Sequence, residues 1–164
     1  MKALLPTLLL TFVLPAVGGA QFLNEFQWKS RPIILFAPNP SDPLFVQQYA
    51  LLQEAVEELR ERRVSLVLVT PEGNYENTSI FLDEAASRRY YDYFGAQPYQ
   101  LELSLVGLDG NEKFRARNTI TPVSVLFELI DRMPMRRREL LQGLGNKSQT
   151  DREGDERPGG QRYE

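Results

Sequence analysis

Three short apolar runs, separated by stretches of helical period, constrain the fold of this chain more than any other feature. Pro32-Ile33-Ile34-Leu35-Phe36-Ala37 and Val64 to Thr70 are apolar at nearly every position, and Leu101 to Gly107 forms a third run. Side chains alternate between the faces of a strand, so an unbroken apolar run belongs to a strand covered on both sides. Each run is also too short for a buried helix. Between the first two, Leu44 to Arg62 follows a helical period, with Val46, Tyr49, Ala50, Gln53, Val56 and Leu59 on or near one face. Between the second and third, Pro71 to Ser79 is a polar loop and Phe81 to Phe94 a helix that presents Phe81 or Leu82, Ala85, Ala86, Tyr90 and Phe94 or Tyr93 inwards. Gly95 follows where a left-handed residue ends a helix.

The third run turns through Leu108-Asp109-Gly110-Asn111 into a fourth strand, Glu112 to Arg117. The Asp-Gly pair suits the positive φ angles of a tight hairpin. Thr121-Pro122 then opens a helix in which Val123, Leu126, Phe127 and Ile130 recur at core spacing, ending near Met133-Pro134. A basic continuation runs from Met135 to Gln142.

Composition removes whole classes of chemistry. The 164 residues include no cysteine and no histidine, and the net charge is −3. Without a thiolate there is no disulfide framework, redox couple or sulfur nucleophile. Without imidazole, the commonest general base near neutrality is gone. Zinc sites built from cysteine and histidine are excluded, and no cofactor or metal is expected. An acidic balance also argues against nucleic acid, despite the basic and aromatic stretch Arg88-Arg89-Tyr90-Tyr91-Asp92-Tyr93.

The two ends read differently from the middle. Met1-Lys2, an apolar stretch from Ala3 to Val17 and the small residues Gly18-Gly19-Ala20 have the layout of a secretory signal, 1–20, cut before Gln21. No later stretch is long and apolar enough to span a bilayer. Residues 21–142 are expected to form the domain. Gly143 to Glu164 is nearly devoid of apolar side chains, and 143–164 is read as a disordered polar tail. The expected setting is a periplasm or the extracellular space, and the expected partner another protein there. Asn77-Thr78-Ser79 and Asn146-Lys147-Ser148 match the glycosylation sequon, relevant only in a eukaryotic source.

The order strand, helix, strand, helix, hairpin, helix is the thioredoxin-like plan: a parallel β-α-β half, then an antiparallel hairpin and a closing helix. Periodicity leaves ferredoxin-like and small flavodoxin-like arrangements open. Trp28-Lys29-Ser30-Arg31 entering the first strand, Asp109-Gly110 and the run Asp131-Arg132-Met133-Pro134-Met135-Arg136-Arg137 together resemble the P-DUDES domain. That family of unassigned activity occurs in exported bacterial proteins and in sushi-repeat-containing proteins of animals. The resemblance covers roughly Phe26 to Leu140. It implies a thioredoxin- or peroxiredoxin-like fold and, in the animal proteins, an adhesive or matrix setting. It also implies that the loop Pro38 to Pro43 lies where thioredoxins keep their redox pair, and that Pro98 is the candidate for their cis-proline.

Candidate surface or binding positions are therefore Ser41, Asp42, Pro98, Arg132, Arg136 and Arg137. Ser41-Asp42 reads as a helix N-cap, since a nucleophilic serine needs an activating base and no histidine exists to supply it. The arginines read as a solvated helix end, the alternative being an anionic partner held by guanidinium forks. The chain is thus expected to be a non-redox binding or structural module. The alternative is a hydrolase, or another enzyme without thiols, with its site in the Pro38–Pro43 loop.

Overall fold

The computed structural model describes residues 23–73 and 81–143. The expected leader, both sequons and all of the expected tail after Gly143 lie outside the described residues. Four strands, β1 (Arg31–Phe36), β2 (Val64–Val69), β3 (Glu102–Val106) and β4 (Glu112–Arg117), form one sheet in the order β2-β1-β3-β4. β1 runs parallel to β2 and antiparallel to β3, and β3 is antiparallel to β4. The parallel pair excludes an all-antiparallel ferredoxin-like sheet, and antiparallel β3 excludes an all-parallel flavodoxin-like one.

The helices are α1 (Pro43–Glu54), α2 (Val56–Glu61), α3 (Glu84–Phe94) and α4 (Val123–Asp131). Residues 134–143 form a further helical segment up to the last described residue. Odd positions of β1, Ile33 and Leu35, join one core with Phe45, Leu52, Leu59, Leu126 and Ile130. Its even positions, Ile34 and Phe36, join a second core with Leu23, Phe26, Leu82, Tyr90 and Phe94. The sheet is thus packed on both faces, with α1, α2 and α4 on one side and α3 with the N-terminal turn on the other. β1 is buried along its whole length, as its unbroken apolar run required.

The expected helix from Leu44 to Arg62 is interrupted at Ala55, and its buried face is Phe45, Gln48, Leu52 and Leu59. The expected face is corrected, because Val46 and Val56 are exposed. Apolar residues surround this helix on most sides, and polar Gln48 interrupts the true stripe. Gln48 is buried because its amide makes two bonds to one residue: Oε1 accepts from the Thr121 N–H at 2.6 Å, and Nε2 donates to the Thr121 carbonyl at 3.1 Å. That amide clamps the loop after β4 to α1. Likewise, of the residues expected to face inwards in the next helix, Phe81, Ala85 and Tyr93 are exposed and Leu82, Tyr90 and Phe94 buried, with α3 starting only at Glu84.

At the amino-terminal end of β1 the structure adds an ionic knot. Fully buried Arg31 donates from Nη1 to the Arg62 carbonyl at 2.7 Å and pairs through Nη2 with Glu139 at 3.1 Å. Glu139 also receives Arg63 at 3.3 Å. The segment 134–143 is thereby fastened beneath the sheet. Trp28, in left-handed conformation at φ 63°, is held nearby by its N–H on the Leu108 carbonyl and by Arg63 on its own carbonyl, both at 2.8 Å.

Candidate functional site

The carboxyl ends of β1 and β2 meet the start of β3, where Phe36 pairs with Glu102 and Glu102 with Arg117. Ligands of open α/β sheets favour this kind of end, because loops diverge there around the strand termini. Ser41, Asp42 and Pro98 all belong to its loops. The Asp42 carboxylate accepts the Phe45 N–H at 2.9 Å, capping α1, as expected. The Ser41 N–H donates to Asn39 Oδ1 at 2.9 Å, and among the described residues no base is bonded to the Ser41 hydroxyl.

Pro98 is exposed and trans, since none of the described peptide bonds is cis. The cis expectation is corrected. Its loop is shaped by other means: Gly95 ends α3 at φ 57°, and Glu102 gathers the residues that follow. Glu102 Oε1 accepts the Gln97 N–H and the Gln100 side-chain amide, both at 2.9 Å. Oε2 takes Arg117 at 3.1 Å and lies 3.6 Å from Arg115. The Glu102 side chain is 1% exposed. Desolvation pushes its carboxyl up, but the bonds from Gln100, Gln97 and Arg117 outweigh this and hold it below the usual carboxylate value. Such a carboxylate is fully satisfied and acts as a staple rather than a proton carrier.

Tyr91 lies beside it, its hydroxyl on the Ala37 and Val69 carbonyls at 3.3 and 3.4 Å. Burial, and then the Glu102 charge, raise its phenol well above the ordinary range, so it stays neutral. Two recesses flank Pro71. A cleft of about 290 Å³ lies between Pro38–Pro40 and Thr70–Gly73. A recess of about 450 Å³ lies between Pro71, the carboxyl end of α3 and Gly95–Pro98. Ser41 and Asp42 line neither, so the structure does not join them to Pro98 in one cavity.

The arginine candidates sit elsewhere, and they divide. Arg136 is buried, with Nη2 on Glu61 at 2.8 Å and Nε on Asp131 at 3.3 Å. It is corrected from a surface position to part of the ionic knot. Arg132 is exposed and lies 3.5 Å from Glu128. Arg137 is exposed with no ion pair among the described residues. These three do not converge on one ligand. Arg31, Gln48, Glu102 and Glu139 carry no local signal: the partners of Arg31, Gln48 and Glu139 include residues more than 70 positions away, and Glu102 joins its own loop to the neighbouring strand.

Glu102 and Asp131 predict acid sensitivity. Desolvation raises the Asp131 carboxyl, but Arg62 and Arg136 outweigh this and lower it. A carboxyl whose folded pKa lies below its unfolded value contributes stability above the unfolded pKa and loses it as pH falls through the folded one. The ordinary values are 4.5 and 3.8, so thermal midpoints are expected to be flat above about pH 5 and to fall steeply below about pH 4. Glu102→Gln should flatten part of that fall. An unchanged acid limb in this variant would remove Glu102 from the account.

Comparison with known proteins places the architecture. Reduced 2-Cys peroxiredoxin from Plasmodium vivax superposes with a TM-score of 0.54 at 15% identity, covering 71% of this chain and 72% of that one. Plasmodium yoelii thioredoxin peroxidase I gives 0.48 at 14% identity, covering 87% and 86%. The fold is thioredoxin-like, in a chain that has no cysteine. In sequence it is 32% identical over 151 residues to coiled-coil domain-containing protein 80 of Danio rerio, covering 81% of this chain and 17% of that protein. It therefore spans about a sixth of that relative's length. A family model matches residues 22–139, and the chain belongs to that family, described as a domain of unknown function, DUF4174.

Proposed function

We propose that this is an exported binding or structural module of the P-DUDES type, built on a thioredoxin-like scaffold and working through its surface. The observation that carries the reading is the state of the α1 amino terminus. The loop before it holds Asp42 as a cap and Ser41 beside Asn39, with no thiol anywhere in the chain. Disulfide exchange and thiol peroxidation both begin with a thiolate. The scaffold therefore lacks the group those reactions need, while its loops still border two recesses.

The domain is proposed to span residues 21–142, behind a signal removed between Ala20 and Gln21, with 143–164 a polar extension. Its proposed setting is the periplasm or the extracellular space, and its partner another protein there. Secreted material is expected to begin at Gln21 by N-terminal sequencing; recovery of the full-length chain in membranes would sink this. The function itself is tested by affinity capture from envelope or medium with residues 21–164, alongside peroxide and disulfide turnover assays. A saturable partner and no turnover are expected. Repeated turnover that survives chelation and repurification would overturn the reading.

A further inference from the structure

We infer that the furrow formed by the two recesses on either side of Pro71 is a docking groove for an extended, lysine- or arginine-containing polypeptide segment. This rests on the binding-module reading and names the partner's chemistry. Pro38 and Pro40 border one recess, Pro98 the other, and Pro71 is the wall they share. A proline contributes a carbonyl acceptor and no N–H donor. The other backbone donors along the walls are largely spent inside the protein. The Gly73 N–H goes to the Thr70 carbonyl, the Ala96 N–H to the Tyr91 carbonyl and the Gln97 N–H to Glu102.

Acceptors, by contrast, are left over. Among the described residues, the carbonyls of Pro38, Pro40, Pro71 and Pro98 accept no hydrogen bond. The carboxylates of Glu72 and Asp92 have no ion pair there either. Among the described wall residues, Arg88 is the one cation, and it is matched by Glu84 at 2.9 Å. The carboxyl end of α3 adds a partial negative charge beside Asp92. The side-chain amides of Asn39 and Gln97 bring both donors and acceptors, but the leftover carbonyls and the two carboxylates give the groove an acceptor-rich, negative balance, which selects a ligand that brings N–H groups and positive charge. An extended peptide brings both, through its backbone amides and its ammonium or guanidinium heads.

The test uses fluorescein-labelled (Lys-Ala)4 and (Glu-Ala)4 octapeptides, titrated against the mature protein by fluorescence anisotropy, with amide shifts followed by NMR. The basic peptide should bind and the acidic one should not, with shifts clustered at Asn39, Glu72, Gly73 and Gly95–Gln97. Glu72→Gln with Asp92→Asn should weaken binding at least about tenfold. The charge-matched control Glu54→Gln with Glu57→Gln, at the opposite end of the sheet, should change it less than about twofold. No binding of the basic peptide, equal effects of the two double variants, or shifts that map elsewhere would overturn the groove. If a captured natural partner keeps its affinity for the Glu72→Gln, Asp92→Asn protein, the module reading stands and this inference alone fails.

Discussion

Replacing Glu139 by alanine is expected to cost about 3–5 kcal/mol, the range for removing one partner of a buried ion pair. Arg31 is 0% exposed, and Glu139 supplies its carboxylate contacts at 3.1 and 3.3 Å. Without Glu139 the guanidinium keeps only the Arg62 carbonyl among the described residues. Arg63 loses the same carboxylate. The thermal midpoint should therefore drop by roughly 10 °C or more. Chemical denaturation of the variant checks the size. The paired variant Arg31→Met, Glu139→Leu, which removes both charges, should recover much of the loss. A cost of about 1 kcal/mol or less, as for an exposed pair, would show that the knot is ornamental.

The second large effect is expected at Gly73. Its φ is +70°, and a Cβ there would stand 2.6 Å from the Asp83 carbonyl carbon and 2.7 Å from the Glu84 nitrogen. Both are backbone atoms at the start of α3, so nothing flexible can give way. Gly73→Ala combines a left-handed backbone cost of about 1–2 kcal/mol with that collision, for a total of at least about 3 kcal/mol. Gly95 provides the internal comparison: its φ is +57°, but nothing lies within 4 Å of its added Cβ. Gly95→Ala should cost only about 1 kcal/mol. Equal losses at the two glycines, in paired urea titrations, would mean that backbone strain alone governs both and that the Gly73–Asp83 approach is unimportant.

The strands were readable because burial on both faces leaves an unbroken apolar signature. β4 was read at its observed limits, Glu112–Arg117, because the Asp109-Gly110 turn fixes where it must begin. The buried face of α1 differs from its local apolar period for a physical reason. Gln48 is buried by two bonds to a loop 73 positions away, and no local pattern reports that. The same holds for the candidate site. Asp42 as a cap was legible, since a cap acts within one helical turn. The Glu102 staple was not, since its bonds come from a loop on one side and a hairpin strand on the other. Arg136 looked like part of a solvated basic run because its acidic partner Glu61 lies 75 positions back. Trans Pro98 departs from the resemblance.

The central position of β1 has a consequence for the order in which the molecule can be assembled. Its neighbours are β2 on one side and β3 on the other, so Ile33 cannot be enclosed until Leu105 exists. Its first residue, Arg31, waits for a carboxylate 108 positions downstream. A chain made from its amino terminus therefore emerges with its most apolar strand first and that strand's cover last. β1 lacks its second native neighbour until about two thirds of the domain has left the ribosome, and Arg31 its counter-charge until nearly all of it has. Such a long-range core folds late and cooperatively, and the half-made chain exposes its most apolar strand to aggregation until the rest arrives.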